Sequence, residues 1–144
     1  MLIHHVLQRK GAEVVTTTAD APLTGALSTL AEHNIGAIVV ADDQGAVVGI
    51  ISERDLVRAL AANGPAALDG TVGDLMTASV TSCGPRATVD DVMALMTERR
   101  IRHVPVIDDG ELTGIVSIGD VVKTRIGELE TERETLHDYL SGRA

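Results

Sequence analysis

GIISERDLV, Gly49 to Val57, and GIVSIGDVV, Gly114 to Val122, are two versions of one nine-residue stretch. Five of the nine positions are identical: Gly49/Gly114, Ile50/Ile115, Ser52/Ser117, Asp55/Asp120 and Val57/Val122. Working towards the N-terminus, the offset of 65 residues becomes 66 once a turn is crossed, and Val14, Ala21, Glu32 and Ile35 fall on Val80, Ala87, Glu98 and Ile101. A match this dense over two thirds of each half marks an internal duplication, and a duplication must be read before any single motif.

Each copy carries the same succession of patterns. A short β-prone piece, EVVTTT from Glu13 and SVTSC from Ser79, precedes a helix-period segment. There Leu23, Leu27, Leu30 and Ala31 share one face, answered by Val89, Met93, Met96 and Thr97. Two strands follow close together. IGAIVVA turns through Asp42-Asp43-Gln44-Gly45 into AVVGIIS, and IRHVPVI turns through Asp108-Asp109-Gly110 into ELTGIVS. Asp and Gly in these turns predict hairpins, and the single length difference between copies sits there, where it costs little. A second helix begins at Ser52 and Ser117, and Asn63-Gly64-Pro65 stops the first of them. The strands IGAIVVA and VVGII are apolar on both faces, which predicts burial against their own helices and the other copy's sheet. The expected class is α+β: two β-α-β-β-α copies packed as a pseudo-twofold pair around a common core, plus a C-terminal helix. Residues 4–63 form the first copy, 64–71 a linker, 72–127 the second copy and 128–144 a helical tail.

Ser-x-x-Asp at a strand-to-helix junction reads in two ways. It is a variant capping box, with Ser as N-cap and the acid three residues on returning to the Ser N–H. It is also a nucleotide-binding pattern: free N–H groups at a helix start attract phosphate, and a carboxylate beside them accepts both hydroxyls of a ribose. A capping box ordinarily carries Glu or Gln at the third helical position, whereas both copies hold the shorter Asp.

Composition narrows the partners. The 144 residues carry 12 Lys+Arg against 21 Asp+Glu, for a net charge of −9, which disfavours nucleic acid and anionic membrane. Tyr139 is the only aromatic besides histidine, so there is no platform for stacking bases or sugars, and the core must be aliphatic. A single cysteine, Cys83, excludes an internal disulfide framework and a Cys-based zinc site. No stretch has the apolar length of a membrane span, and MLIHHVLQRKG lacks the apolar run of a secretory signal, so a cytoplasmic location is expected.

The duplicated unit, its hairpin, GIISERDLV and GIVSIGDVV resemble a tandem pair of CBS domains, the module named after cystathionine β-synthase. The resemblance spans roughly residues 4 to 127, and VGDLMT, Val72 to Thr77, is similar to that family's lead-in to a repeat. It implies two clefts between the copies and an adenosyl ligand: AMP, ADP, ATP, NAD or S-adenosylmethionine. It implies Asp55 and Asp120 on ribose hydroxyls, with Ser52 and Ser117 reaching phosphate. Main-chain groups near Thr16 and Ser82, of Ala37 and Ile38 beside Gly36, and of His103, Val104 and Pro105 would frame the adenine. The copies diverge: Arg102 and His103 replace Gly36 and Ala37, while Arg54 stands where copy two has Gly119. Arg102 and His103 suit phosphates projecting between the copies, and Gly119 allows close backbone approach.

The other conspicuous residues have simpler explanations. His4 and His5, read as neighbours on a strand, point apart and hold no metal. The paired aspartates are turn residues rather than catalytic carboxylates. Cys83 lacks an activating base, and Met93 and Met96 fill the core. Val122, Ile126, Leu129, Leu136 and Leu140 draw an apolar seam along the tail, interrupted by Arg133.

The expected function is a regulatory or energy-sensing module, not an enzyme and without a catalytic cofactor. It binds an adenine nucleotide and signals by a conformational shift to an effector protein, as a homodimer and without nucleic acid or membrane. The alternative is an interaction or dimerisation module with unoccupied clefts. An enzyme would have to rest on His103, which no second group backs.

Overall fold

A computed structural model describes residues 1–142; the last two residues of the expected tail lie outside the described residues. The chain opens on helix α1 (Ile3–Lys10), not on a strand. Ile3, Val6 and Leu7 are buried at helical spacing, Arg9 and Lys10 complement the dipole in the last turn, and Gly11 at φ 99° ends the helix. His4 and His5 therefore do not point apart: their rings lie 4.0 Å from one another, tilted by 42°.

The first copy continues with β1 (Thr16–Thr17), α2 (Leu23–His33), β2 (Ala37–Ala41), β3 (Val47–Ser52) and α3 (Glu53–Asn63). The linker folds into a 3₁₀ turn over Gly64–Asp69. The second copy has a short α4 (Val72–Leu75), then α5 (Val89–Arg99), β4 (His103–Asp108), β5 (Glu111–Ser117) and α6 (Ile118–Leu140). The second-copy helix and the tail are thus one helix of 23 residues.

Both expected hairpins form. Ala37 pairs with Ser52 and Ile38 with Ile51, and in the second copy His103 pairs with Ser117 and Val104 with Val116. Asp42 holds the first turn by accepting from the N–H groups of Gln44 and Ala46, both at 2.9 Å. Asp109 and Gly110, at φ 51° and 81°, make the second. The leading strands are much shorter than EVVTTT and SVTSC. Thr16 and Thr17 run parallel to β2, but around Cys83 only one parallel bridge survives, to Val106. Cys83 N–H donates to Pro105 O and Ile107 N–H to Cys83 O. The next rung on either side would need the N–H of Pro85 or Pro105, which proline lacks, so the ladder stops there.

The buried stripes of α2 and α5 are rotated from the sequence reading. Leu23, Ala26 and Leu30 are buried, as are Val89, Val92 and Met96, while Ala31 and Thr97 are exposed. Nor is there one common core. Leu23, Leu30, Ile38, Val40, Ile51 and Leu56 pack with Val72 from the start of copy two. Val89, Val92, Val104, Val106, Val116 and Val121 pack with Ile3, Val6 and Leu7 from the start of the chain. Each copy's lead-in therefore completes the other copy's core. The backbone records the same exchange: Leu2 bridges Thr88, and Thr71 bridges Pro22. Close contact makes it possible, because a Cβ on Gly49 would lie 2.5 Å from Met76 Sδ and one on Gly114 2.7 Å from both Leu7 methyls. Gly49 and Gly114 are the same position of the repeat, kept as glycine in both copies.

Candidate nucleotide-binding cleft

Where β3 meets α3, Ser52 leaves the strand in extended conformation and caps the helix. Asp55 N–H donates to Ser52 Oγ at 3.4 Å, while Asp55 Oδ2 accepts from Ser52 N–H at 2.9 Å and from Ser52 Oγ at 3.0 Å. Ser117 and Asp120 repeat the arrangement at the start of α6. The capping box is real in both copies. In the first it leaves the other carboxylate oxygen, Asp55 Oδ1, with only a long contact from Thr77 Oγ1 at 3.4 Å.

Asp55 lines a cavity of about 480 Å³ between the copies. One side is built from Gly36, Ile50, Ser52, Arg54, Asp55 and Arg58 of the first copy; the other from Thr77, Ser79, Thr81 and the run Arg99 to His103 of the second. Six residues singled out from sequence thus meet in one cleft: Gly36, Ser52, Arg54, Asp55, Arg102 and His103. Ala37, Ile38, Val104 and Pro105 are buried in the hairpins behind it and do not line the cavity. Thr81 lines the cavity and Ser82 is its exposed neighbour; Thr16 lies on β1, outside the lining. Ser117, Gly119 and Asp120 sit at the corresponding junction of the other copy. There Lys10 Nζ lies 2.6 Å from Asp120 Oδ2 and 2.7 Å from Ile115 O. Burial pushes the Asp120 carboxyl up, but the Lys10 ammonium and the Ser117 donors outweigh it and hold the group below the ordinary carboxylate range.

Charge in the first cleft is concentrated. Arg54, Arg58, Arg99, Arg100 and Arg102 line it against Glu53 and Asp55, so five of the chain's 12 basic residues converge on one cavity of an acidic protein. Arg54 Nη1 reaches across to donate to Arg100 O at 2.9 Å, tying the two copies together at the rim. Arg100 occupies the left-handed C-cap of α5 at φ 55°, where copy one has Asn34 at φ 51°. Asn tolerates that conformation, and a long branched-tip side chain does so at some cost. The ring of His103 fits against Gly36, whose added Cβ would come within 3.1 Å of it. Burial is the main cause that lowers the pKa of His103, assisted by Lys10 and Arg102 and opposed by Glu53 and Asp120. His103 therefore enters the cleft as a neutral hydrogen-bonding ring, and the positive charge comes from the arginines.

Arg58, Arg99, Arg100, Ser79, Thr81 and Lys10 were not legible as site residues. The only trace was the spacing of Arg54 and Arg58, which puts both on one helix face, and the density of Arg99, Arg100 and Arg102 just before a strand. Cys83 is half-buried, and burial pushes its thiol up to about 11, so it stays protonated and inert near neutrality. Among the described residues no group of three His, Cys, Asp or Glu side chains is placed to hold a metal, and no helix is long and apolar enough to cross a membrane.

Comparison with known proteins agrees with this architecture. The CBS domain model matches twice, over residues 7–62 and 72–127. The mitochondrial CBS domain-containing protein CBSX3 of Arabidopsis thaliana is 37% identical across 97% of this chain and 72% of its own length. A crystallised CBS-domain containing protein from Agrobacterium tumefaciens is 48% identical, with a TM-score of 0.85 over 87% of this chain and 99% of that one. The CBS domain pair of protein MJ0100, solved in complex with 5′-methylthioadenosine and S-adenosyl-L-methionine, is 29% identical with a TM-score of 0.79, covering 89% and 98%. With both copies matched and the exchanged cores in place, this chain belongs to the CBS domain family as a tandem pair.

Proposed function

We propose that the first cleft binds an adenosyl ligand carrying two or more phosphates, ADP or ATP being the closest fit, and that the pair acts as a regulatory module. One observation carries this reading: a single cavity joins a helix N-terminus and an unsaturated aspartate oxygen to five arginines. Asp55 accepts the ribose hydroxyls and the arginines meet the phosphates; at the start of α3 the N–H groups of Glu53 and Asp55 are already donated to Gly36 O and Ser52 Oγ, which leaves that of Arg54 for the first phosphate. The adenosyl complexes of MJ0100 support the ribose end. The ligand charge is argued from this chain alone: five arginines repel the sulfonium of S-adenosylmethionine and attract a polyphosphate.

Signalling follows from where the ligand sits. A molecule held by Ser52 and Asp55 on one side and Arg100 and Arg102 on the other favours arrangements in which the copies are close, and shifts the population accordingly. The ligand is bound without being consumed, because none of the hydroxyls that share the cavity with His103, those of Ser52, Thr77, Ser79 and Thr81, is hydrogen-bonded to its ring. Millimolar AMP, ADP, ATP, NAD and S-adenosylmethionine should separate in a thermal-denaturation series, with ATP and ADP raising the melting temperature most and being recovered intact. No rise with any of them contradicts the proposal and leaves the interaction-module reading, which the completed capping boxes favour.

The module is further proposed to act as a homodimer through α6. Val122, Ile126, Leu129, Leu136 and Leu140 remain 41 to 75% exposed along one seam, an apolar area that water does not tolerate cheaply. Removing residues 128 to 144 should convert a sedimenting dimer into a monomer or a much weaker dimer. An unchanged dimer would place the contact elsewhere.

A further inference from the structure

The two strand-to-helix junctions start from the same motif and end differently, and the cause lies in how long each lead-in stays helical. Gly49 is pressed by Met76 and its counterpart Gly114 by Leu7, which sets Leu7 on Met76 and therefore Lys10 on Ser79. In copy two the lead-in helix α4 stops at Leu75, and Thr77 turns extended to pair with β3: its N–H donates to Ile50 O at 2.8 Å and its carbonyl accepts from Ile50 N–H. Ser79 then lines the open cavity. At the start of the chain the equivalent helix α1 runs on to Lys10. No backbone N–H takes the place of Thr77; instead the Lys10 ammonium donates to Ile115 O, the counterpart of Ile50 O, and in the same posture contacts Asp120.

We infer that Lys10 is a built-in occupant of the second cleft, holding the carboxylate that a ribose would need, so that this protein takes one adenosyl ligand per chain. The inference rests on the adenosyl reading of the first cleft. Charge is on its side. The Lys10 ammonium lies 2.6 Å from Asp120 Oδ2, the oxygen that also carries the Ser117 cap. A ligand entering there meets a carboxylate whose charge is already paired and must take its hydroxyls to the other oxygen beside that ammonium, whereas Asp55 has no ion pair among the described residues and only a 3.4 Å hydroxyl contact at Oδ1. The second cleft also lacks the arginine wall that would offset that cost. Arg99, Arg100 and Arg102 have His33, Asn34 and Gly36 as counterparts and Arg54 has Gly119; only Arg58 has a basic counterpart, Lys123.

Adenosine, which needs no phosphate partner, is the probe that isolates this effect. In amide NMR spectra of the full chain, millimolar adenosine should move the signals of Ser52 and Asp55 and leave Gly119 and Asp120 unmoved. In Lys10→Met all four should respond, and Lys10→Gln, which keeps a polar tip, provides the same test if Lys10→Met misfolds. Movement of Gly119 and Asp120 in the unmodified chain overturns the inference. So does their silence in Lys10→Met and Lys10→Gln while Ser52 and Asp55 respond. Silence at all four residues in every chain removes the adenosyl reading itself, and the inference with it.

Discussion

Asp55→Ala should lower the affinity for ATP by roughly tenfold to a hundredfold, the range for loss of a hydrogen bond to a charged group worth about 1.5 to 3 kcal/mol. The argument rests on the division of labour between the two carboxylate oxygens. Oδ2 is consumed by the Ser52 cap, and Oδ1 carries only the 3.4 Å contact from Thr77 Oγ1. The substitution removes both, so a cap contribution of about 1 kcal/mol to stability disappears with it. Asp55→Asn separates the two roles: its amide oxygen still accepts from Ser52 N–H, so the unliganded melting temperature should recover, while ATP affinity stays reduced. Asp120→Ala should leave ATP affinity and stoichiometry unchanged, because Lys10 already engages that carboxylate. Calorimetry on the three variants checks all of this. Full ATP affinity in Asp55→Ala would reduce the motif to a helix cap.

Leu7→Ala should cost about 2 to 5 kcal/mol, a large share of a small domain's stability, although Leu7 lies outside the copy it supports. Leu7 is 6% exposed and packs in the core of Val89, Val104, Val106 and Val116, with both methyls over Gly114. The loss should be local. Hydrogen exchange at Val104, Val106 and Val116 should accelerate more than at Ile38 and Ile51, whose core is completed by Val72 instead. Gly114→Ala overpacks the same contact and should cost about 1 to 3 kcal/mol by itself. In the double variant the alanine methyl enters space vacated by Leu7, so the combined cost should fall clearly below the two added together. Simple additivity in urea denaturation would contradict the close approach, and faster exchange centred on Ile38 and Ile51 would contradict the exchange of lead-ins.

Much of this was legible in the chain, and the limit has a physical shape. Hairpins, helix starts and the Ser-x-x-Asp junctions are set by neighbours within about ten residues, so GIISERDLV and GIVSIGDVV announce them. The resemblance suggested the ligand class proposed here for the same reason, since those residues form one local turn. What escaped depends on partners far along the chain. MLIHHVLQRK reads as a short, unremarkable segment until Val89 and Val116 give its apolar face something to cover, and His4 and His5 follow the helix once it forms. The arginine wall escaped because Arg58 on the surface of α3 and Arg100 at the C-cap of α5 are unremarkable until the copies face each other. The rotated stripes of α2 and α5 reflect which side the hairpin approaches, a tertiary fact that periodicity alone does not contain.

Calorimetric titration of the full chain with ATP and with adenosine, at low and at elevated salt, tests the central claim most directly. The arrangement of Asp55 and five arginines predicts one ATP per chain, bound more tightly than adenosine, with the difference narrowing as salt screens the arginines. No heat with either compound at millimolar concentration, or adenosine bound as tightly as ATP at low salt, would contradict it.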